Sequence, residues 1–432
     1  MVTAPPPLAS GLRRRAAALT GDRLVRTSWP LLLNTGSNAV LGILFWMMAA
    51  RLYDQATIGR NMAVIAAMTT MSGITQLNLG PSLGVLVPRA GARGRLVVLQ
   101  VYGVVTAYAV VALAVFFAVL LPHFDQLHDV LRAPPRMWAF AVAVLAFNIF
   151  ALQDAALVSL RRAMVIPVEN LVFGVAKLVL LVVLVERLPT FGIFASWLLP
   201  ILVIVPAISA LIFLRRTKPE TSTLPEISAR GSLPKLALDY VGYLFQVCST
   251  FFLPVVALEL LDPIAASVFA VAWLTSSTMD LLATNIGTAL IVETSYGMDP
   301  AELRHTVFRR VMPVVAGVTV LGMVATPVVL RLYGPEYVAD GIPTLLLLLL
   351  ASVPRSLVTI AIAESRAHRN IGIIVWLRAQ NAALVLGLSY VLAPSLGVEG
   401  IALSWLVAQL AGATTALRTV FRRKVGSLQG ET

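Results

Sequence analysis

The sequence predicts an all-α integral membrane protein: twelve transmembrane helices in two parallel-repeat halves of six, with both termini cytoplasmic. Three observations predict it. The 432 residues are 58% hydrophobic and 12% charged, with a mean hydropathy of +0.87, too little charge to keep a water-soluble chain of that length dispersed. Apolar stretches of about 20 residues recur along the chain, each long enough to cross a hydrocarbon core as a helix. Runs such as "TLLLLLLASV" (344–353) lack the alternation that a membrane strand needs.

The spans follow in order. A proline-rich start and a basic segment occupy the N-terminal tail, 1–24, ahead of a first span at 25–50. That span is longer than the apolar core of a signal peptide, so it is expected to stay as an anchor. Spans at 59–86, 96–121, 137–158, 165–186 and 192–214 complete a first six-helix lobe, 25–214. The polar loop "RRTKPETSTLPEISARGSLPK" (215–235) is the linker. Spans at 236–258, 264–290, 311–331, 341–364, 371–393 and 397–418 form the second lobe, 236–418, and a tail follows at 419–432. Pro206, Pro254, Pro327 and Pro354 each remove a backbone donor inside a span and can bend it.

The net charge of +12 is explained by where the basic residues lie. With the N-terminus inside and span-end residues counted with their nearest loop, 24 of the 33 Lys and Arg are cytoplasmic, 6 are outside, and Lys177, Arg355 and Arg378 are within spans. This is the positive-inside bias, and no nucleic-acid partner is needed to account for the charge. Cys248 is the only cysteine, so there is no intramolecular disulfide. The four histidines flank no set with metal-ligand spacing, and no phosphate-cradling glycine loop or nucleophile elbow occurs. The sequence therefore implies neither an enzyme nor a cofactor.

The two halves repeat. "NLGPSL" (78–83) matches "NIGTAL" (285–290), "MAVIA" (62–66) matches "FAVAW" (269–273), and "GIFASWL" (192–198) matches "GIALSWL" (400–406), all shifted by 207 or 208 residues. Because six is even, both halves enter from the same side, which predicts an axis along the membrane normal. Such a pair suits alternating access around a central cleft.

Charges inside a span cost on the order of 3 kcal/mol and usually face protein or water. Helical spacing puts Asn170, Gly174 and Lys177 on one face, which should look into the bundle. Ser352, Arg355 and Thr359 form a second stripe, and Arg378 is followed one turn later by Asn381. Asn34 and Asn38 lie four apart in the first span, and Asp280 is a central acid in the eighth. Asp154 and Glu169 are further candidates near cytoplasmic ends. Two roles are open to each: fastening the bundle through ion pairs and interhelical hydrogen bonds, or lining a cavity. The surplus of cations over the central acid favours an anionic ligand, and phosphate suits Arg and Lys.

"FWMMAARLYDQATIG" (45–59), "RLYGPEYVADGIPTLLLLLL" (331–350) and "LGVEGIALSWLVAQL" (396–410) resemble helix junctions of the polysaccharide flippases in the multidrug/oligosaccharidyl-lipid/polysaccharide (MOP) superfamily. The resemblance runs from about 25 to 420. It implies two six-helix lobes around a central V-shaped cavity in a bacterial cytoplasmic membrane. It also implies flipping of an undecaprenyl-diphosphate-linked oligosaccharide to the outer leaflet for polysaccharide export. In that reading Lys177, Arg355 and Arg378 meet the diphosphate or acidic sugars, Arg51 sits at the outer mouth, and Asn34, Asn38 and Asn170 add polar lining. Asp280 is the candidate for ion coupling. The expected partners are the anionic lipid-linked glycan, membrane lipids and glycan polymerase or assembly proteins. A cation-coupled exporter of small molecules (MATE-like) and a non-transporting scaffold for glycan assembly are the alternatives. The first span here has no carboxylate of the kind that the drug-exporting branch often carries.

Overall fold

The computed structural model describes residues 37–214, 229–277, 309, 312–368 and 370–421. Every regular element among them is helical. In chain order they are α1 Ser37–Leu52, α2 Gln55–Thr75, α3 Leu79–Ala90, α4 Gly94–Val115, α5 Asp125–Leu131, α6 Pro134–Ser159, α7 Ile166–Leu184 and α8 Gly192–Leu214. Then come α9 Ala229–Thr250, which begins within the expected linker, α10 Leu253–Leu260, α11 Pro263–Ser277, α12 Met312–Tyr333, α13 Val338–Leu350, α14 Ser352–Ala367 and α15 Ile371–Ala416. Seven helical stretches among the described residues are long and apolar enough to cross a bilayer, eight if α9 and α10 form one bent span. The expected spans at 25–50 and 264–290 run into residues outside the description.

Three spans expected to be continuous are broken, and one rule explains all three. Proline lacks the N–H that would bond the carbonyl four residues earlier, so the helix stops at that carbonyl. Pro81 leaves Leu77 without its donor, and α2 gives way to α3 through Leu77 and Asn78, both left-handed at φ 53° and 51°. Pro254 does the same to Thr250, where α9 ends, and α10 continues at a 42° bend. Pro354 does the same to Leu350, the last residue of α13, although Ala351 keeps helical dihedrals and the chain runs on as one apolar stretch from Pro335 to Arg366. Pro206 and Pro327 sit inside helices that continue past them. A fourth break lies inside α15: Gly397, at φ 59°, reverses the chain so that Gln409 reaches Asn381 at 2.8 Å and Thr415 reaches Gln380 at 3.0 Å.

α2 is less apolar than the spans around it because it is surrounded by protein rather than lipid. Two of its neighbours satisfy several of its buried polar residues, although Thr70 Oγ1 has no partner among the described residues. Asn61 donates to the carbonyls of Thr57 and Thr190 and accepts from the Phe194 amide. Asn148 on α6 accepts from Ser72 Oγ at 2.8 Å and donates to Thr75 Oγ1 at 2.7 Å. α7 shows the opposite pattern: Val168, Leu171, Val172, Val175, Val179 and Val182 form an exposed apolar stripe at helical spacing, as a lipid-facing surface requires. Its other face buries Asn170, Phe173, Gly174, Lys177 and Leu181, so the stripe read from the sequence does look into the bundle. Gly174 lets α1 approach closely, since a Cβ would lie 2.5 Å from Cδ1 of Leu41 and make that side chain shift.

Helices before the linker pack mainly on one another, as do those after it, and α2 touches both groups through α9 and α10. On the face carrying the α1–α2 turn, Gly59 lies so close to Pro263 that a Cβ would meet its carbonyl oxygen at 1.9 Å. Glu259 on α10 accepts from the backbone amides of Gln126 and Leu127, and Phe124 meets Phe252 edge-on at 5.6 Å. On the opposite face Tyr240 donates to the Ile74 carbonyl, and Asn78 donates to Asp239.

Candidate functional site

A cavity of about 280 Å³ opens between α9, α14 and α15. Three arginines line it. Arg355 stands in the first turn of α14, just beyond the break at Ala351, and Arg366 is eleven residues on, back on the same face after three turns. Arg378 comes from the first arm of α15, and Asn381 and Gln409 close the side formed by the two arms of that hairpin.

Each guanidinium is held differently. Arg355 lies over the ring of Trp405 at 4.8 Å, and Trp405 stands nearly perpendicular to Trp273 at 4.8 Å. Arg366 pairs with Asp239 on α9 at 3.3 Å, and the other oxygen of Asp239 is taken by Asn78. Arg378 has Arg366 and Asp239 as charged neighbours, while its Nε and Nη1 are buried with no hydrogen-bond partner among the described residues. Buried donors of a cation left unmade are costly, and a polar oxygen-rich anion entering the cavity would satisfy them. Arg guanidinia bind carboxylate or phosphate through paired N–H donors.

The other sequence candidates lie elsewhere. Lys177 is buried in the first group of helices, with its Nζ 5.0 Å from the ring centre of Phe45, 5.1 Å from Phe173 and 4.6 Å from Trp197. These rings come from α1, α7 and α8 and cage the ammonium by cation–π attraction. Among the described residues Lys177 makes no hydrogen bond or ion pair, and it does not line the arginine cavity. Asn170 is buried on α7 beside Glu169. Asn38 is exposed on α1. Arg51, at the end of α1, donates Nε to the Leu332 carbonyl and Nη2 to the carbonyls of Arg331 and Leu332, at 3.2–3.3 Å. Asn34 and Asp280 lie outside the described residues.

The structure thus brings Arg355, Arg378 and Asn381 together and leaves Lys177 and Arg51 apart from them. Sequence reading missed Arg366, although its eleven-residue spacing from Arg355 extends the stripe already seen at Ser352, Arg355 and Thr359. Gln246 and Gln409 were also missed, because amides inside apolar helices are ordinarily interhelical contacts.

Solved structures show the same fold. The chain is similar to an inward-facing multidrug resistance MATE family transporter of the MOP superfamily, at 16% identity over 88% of this chain and 93% of that one, with a TM-score of 0.67. It is similar to the outward-facing form of a MATE family transporter at 17% identity, over 91% and 93%, with a TM-score of 0.57. It also matches a Pyrococcus furiosus MOP superfamily transporter at 16% identity, over 91% and 93%, with a TM-score of 0.59; the binding pocket of that protein has reversed polarity, which suggests a different function for it. No protein-family model and no curated protein matches the sequence. The chain is an all-helical, multi-pass membrane protein with the MATE-like fold of the MOP superfamily transporters.

Proposed function

We propose that the chain is a transporter that flips an undecaprenyl-diphosphate-linked oligosaccharide across a bacterial cytoplasmic membrane by alternating access, for polysaccharide export. The convergence of Arg355, Arg366 and Arg378 on one cavity, with Nε and Nη1 of Arg378 unpartnered among the described residues, carries this reading. A diphosphate supplies the negative oxygens that three guanidinia select, and its lipid tail stays in the bilayer. In this reading twelve spans form two lobes with both termini cytoplasmic. The fastened α1–α2 face is the outer mouth, and the greater likeness to the inward-facing MATE structure fits a state open to the cytoplasm. Lys177, which meets only aromatic rings among the described residues, is a reserve cation for the substrate once those rings part.

A second reading is a MATE-like exporter of small molecules. The matched folds favour it equally, since the solved structures include multidrug resistance transporters. Native mass spectra of the detergent-purified protein separate the two. A polyprenyl-diphosphate glycan should co-purify with the wild type and be lost from Arg378→Gln and Arg355→Leu. A wild type without lipid that exports soluble dyes would transfer the assignment to the small-molecule reading.

A further inference from the structure

The seam between the two helix groups carries a cation beside apolar grooves, on the face of the α1–α2 turn. A cavity of about 390 Å³ lies between α1, α7 and α12. Leu44, Met47, Met48, Leu52, Val182 and Leu332 line it, and Arg51 is its one polar side chain. Leu44, Leu52, Val182 and Leu332 are exposed, so the cavity opens toward the surrounding lipid. A second, largely apolar cavity of about 300 Å³ lies between α1, α11, α12 and α13, and it shares Met47 and Leu332 with the first.

Arg51 stands next to the end of α1, and Arg331 lies in the last turn of α12. Both are exposed, at the depth where apolar spans give way to lipid headgroups. Nε and Nη2 of Arg51 are held by the Arg331 and Leu332 carbonyls at 3.2–3.3 Å, which fixes the guanidinium and leaves Nη1 out of those bonds. Nearby carboxylates are turned elsewhere: Asp54 accepts from the Thr57 amide at 2.9 Å, and Glu336 lies against Gly334. Among the described residues neither arginine pairs with an acid. An apolar groove at this depth stays dry and suits an acyl chain. A guanidinium fixed at the end of the groove suits a phosphate oxyanion. One molecule meets both requirements, a phospholipid whose headgroup is anionic. A zwitterionic headgroup would instead bring an ammonium beside two arginines.

We propose that this seam is a binding site for one anionic phospholipid. Its phosphate sits on Arg51 Nη1 and Arg331, one acyl chain lies in the α1–α7–α12 cavity, and the other lies in the adjoining one. Because α1 and α7 precede the linker and α12 follows it, the lipid bridges the two helix groups where Arg51 already fastens them. Opening this face parts Val182 from Leu332 and takes Arg51 from its carbonyls, so it dismantles the site. A lipid that binds the closed face better than the open one favours the closed state. The site is separate from the arginine cavity and does not depend on what that cavity carries.

The test is native mass spectrometry of the full chain released from nanodiscs that hold phosphatidylglycerol and phosphatidylcholine in equal amounts with the same acyl chains. The wild type should retain one phosphatidylglycerol, preferred several-fold over phosphatidylcholine. Arg331→Gln should lose most of that preference, and it keeps the main-chain carbonyl that holds Arg51. Leu44→Trp fills the groove while keeping both arginines, and it should release the retained lipid. Thermal unfolding gives a second measurement, which also shows whether each variant is folded. The wild-type midpoint should be higher in phosphatidylglycerol nanodiscs than in phosphatidylcholine ones, and this difference should shrink in both variants. Equal retention of the two lipids by the wild type, or a preference that survives in both variants, overturns the site. A polyprenyl diphosphate retained by the wild type in place of the phospholipid, and lost from both variants, also overturns it and gives the groove to the tail of the cargo.

Discussion

Replacing Arg51 with alanine should loosen the face that carries the α1–α2 turn. Arg51 bridges positions 280 residues apart, donating to the carbonyls of Arg331 and Leu332 in the last turn of α12. Those carbonyls have no acceptor role within their own helix, and they form the negative end of its dipole. A cation placed there on an exposed surface is worth about 1 kcal/mol, which is a factor of about 5 in a two-state population. Spin labels at Leu188→Cys and Glu336→Cys, in a Cys248→Ser background, sit on the two helix groups at this face. Double electron–electron resonance should then show the population with this face open rising by about that factor in Arg51→Ala. Arg51→Lys should fall between, because an ammonium lacks the fork that reaches both carbonyls at once. An unchanged distance distribution, or a shift toward closure, would refute the fastening role. Arg51 would then be available to a ligand at that mouth, as the family resemblance implied.

Three further outcomes are expected. Asn148→Ala breaks the link between α2 and α6 and leaves Ser72 and Thr75 without their buried partner; it should cost about 1–2 kcal/mol, read as a lower midpoint in detergent. Lys177→Met should stay within about 1 kcal/mol of the wild type, since an apolar chain of similar length replaces a caged charge, whereas Lys177→Ala should lose about 2–4 kcal/mol to the void between three rings; equal losses would argue against the cage. Asp54 caps α2 through the Thr57 amide at 2.9 Å. Burial pushes its carboxyl up, but the hydrogen bonds from Thr57 and the nearby Arg60 outweigh that and hold it below the ordinary carboxylate value. Its contribution is therefore present at neutral pH and lost as pH falls through the acid range. Acid titration of the unfolding midpoint should show a loss that Asp54→Asn lacks.

Helix positions were legible because lipid imposes hydropathy on whole stretches of chain. The breaks were legible in part: Pro254 and Pro354 advertise lost donors, while the break at Leu77 is visible only if Pro81 is read back four residues. That Asn170, Gly174 and Lys177 face inward followed from spacing alone. What surrounds Lys177 did not, because its rings arrive from three helices separated by up to about 150 residues of chain. The arginines could be noticed singly, but their meeting depends on α14 packing against the first arm of α15. Glu169 was discounted for standing near a helix end, where water is usually close. It is nevertheless 4% exposed, because neighbouring helices cover it in a way that no local pattern reports.

The prolines carry one more consequence. Shifted back by the 207 or 208 residues that relate the two halves, Pro254 falls on Met47 or Trp46 in α1, and Pro354 falls on Phe147 or Ala146 in α6. All four of these residues keep their amide hydrogen, and α1 and α6 continue through them without a break. At these two places the stretches that the sequence repeat aligns therefore differ mechanically as well as chemically. The first copy is continuous there and seamed by asparagines, while the second is jointed beside the cavity its arginines line. Under the proposed alternating access, the hinge points would therefore lie in the second half, with the first half as the frame.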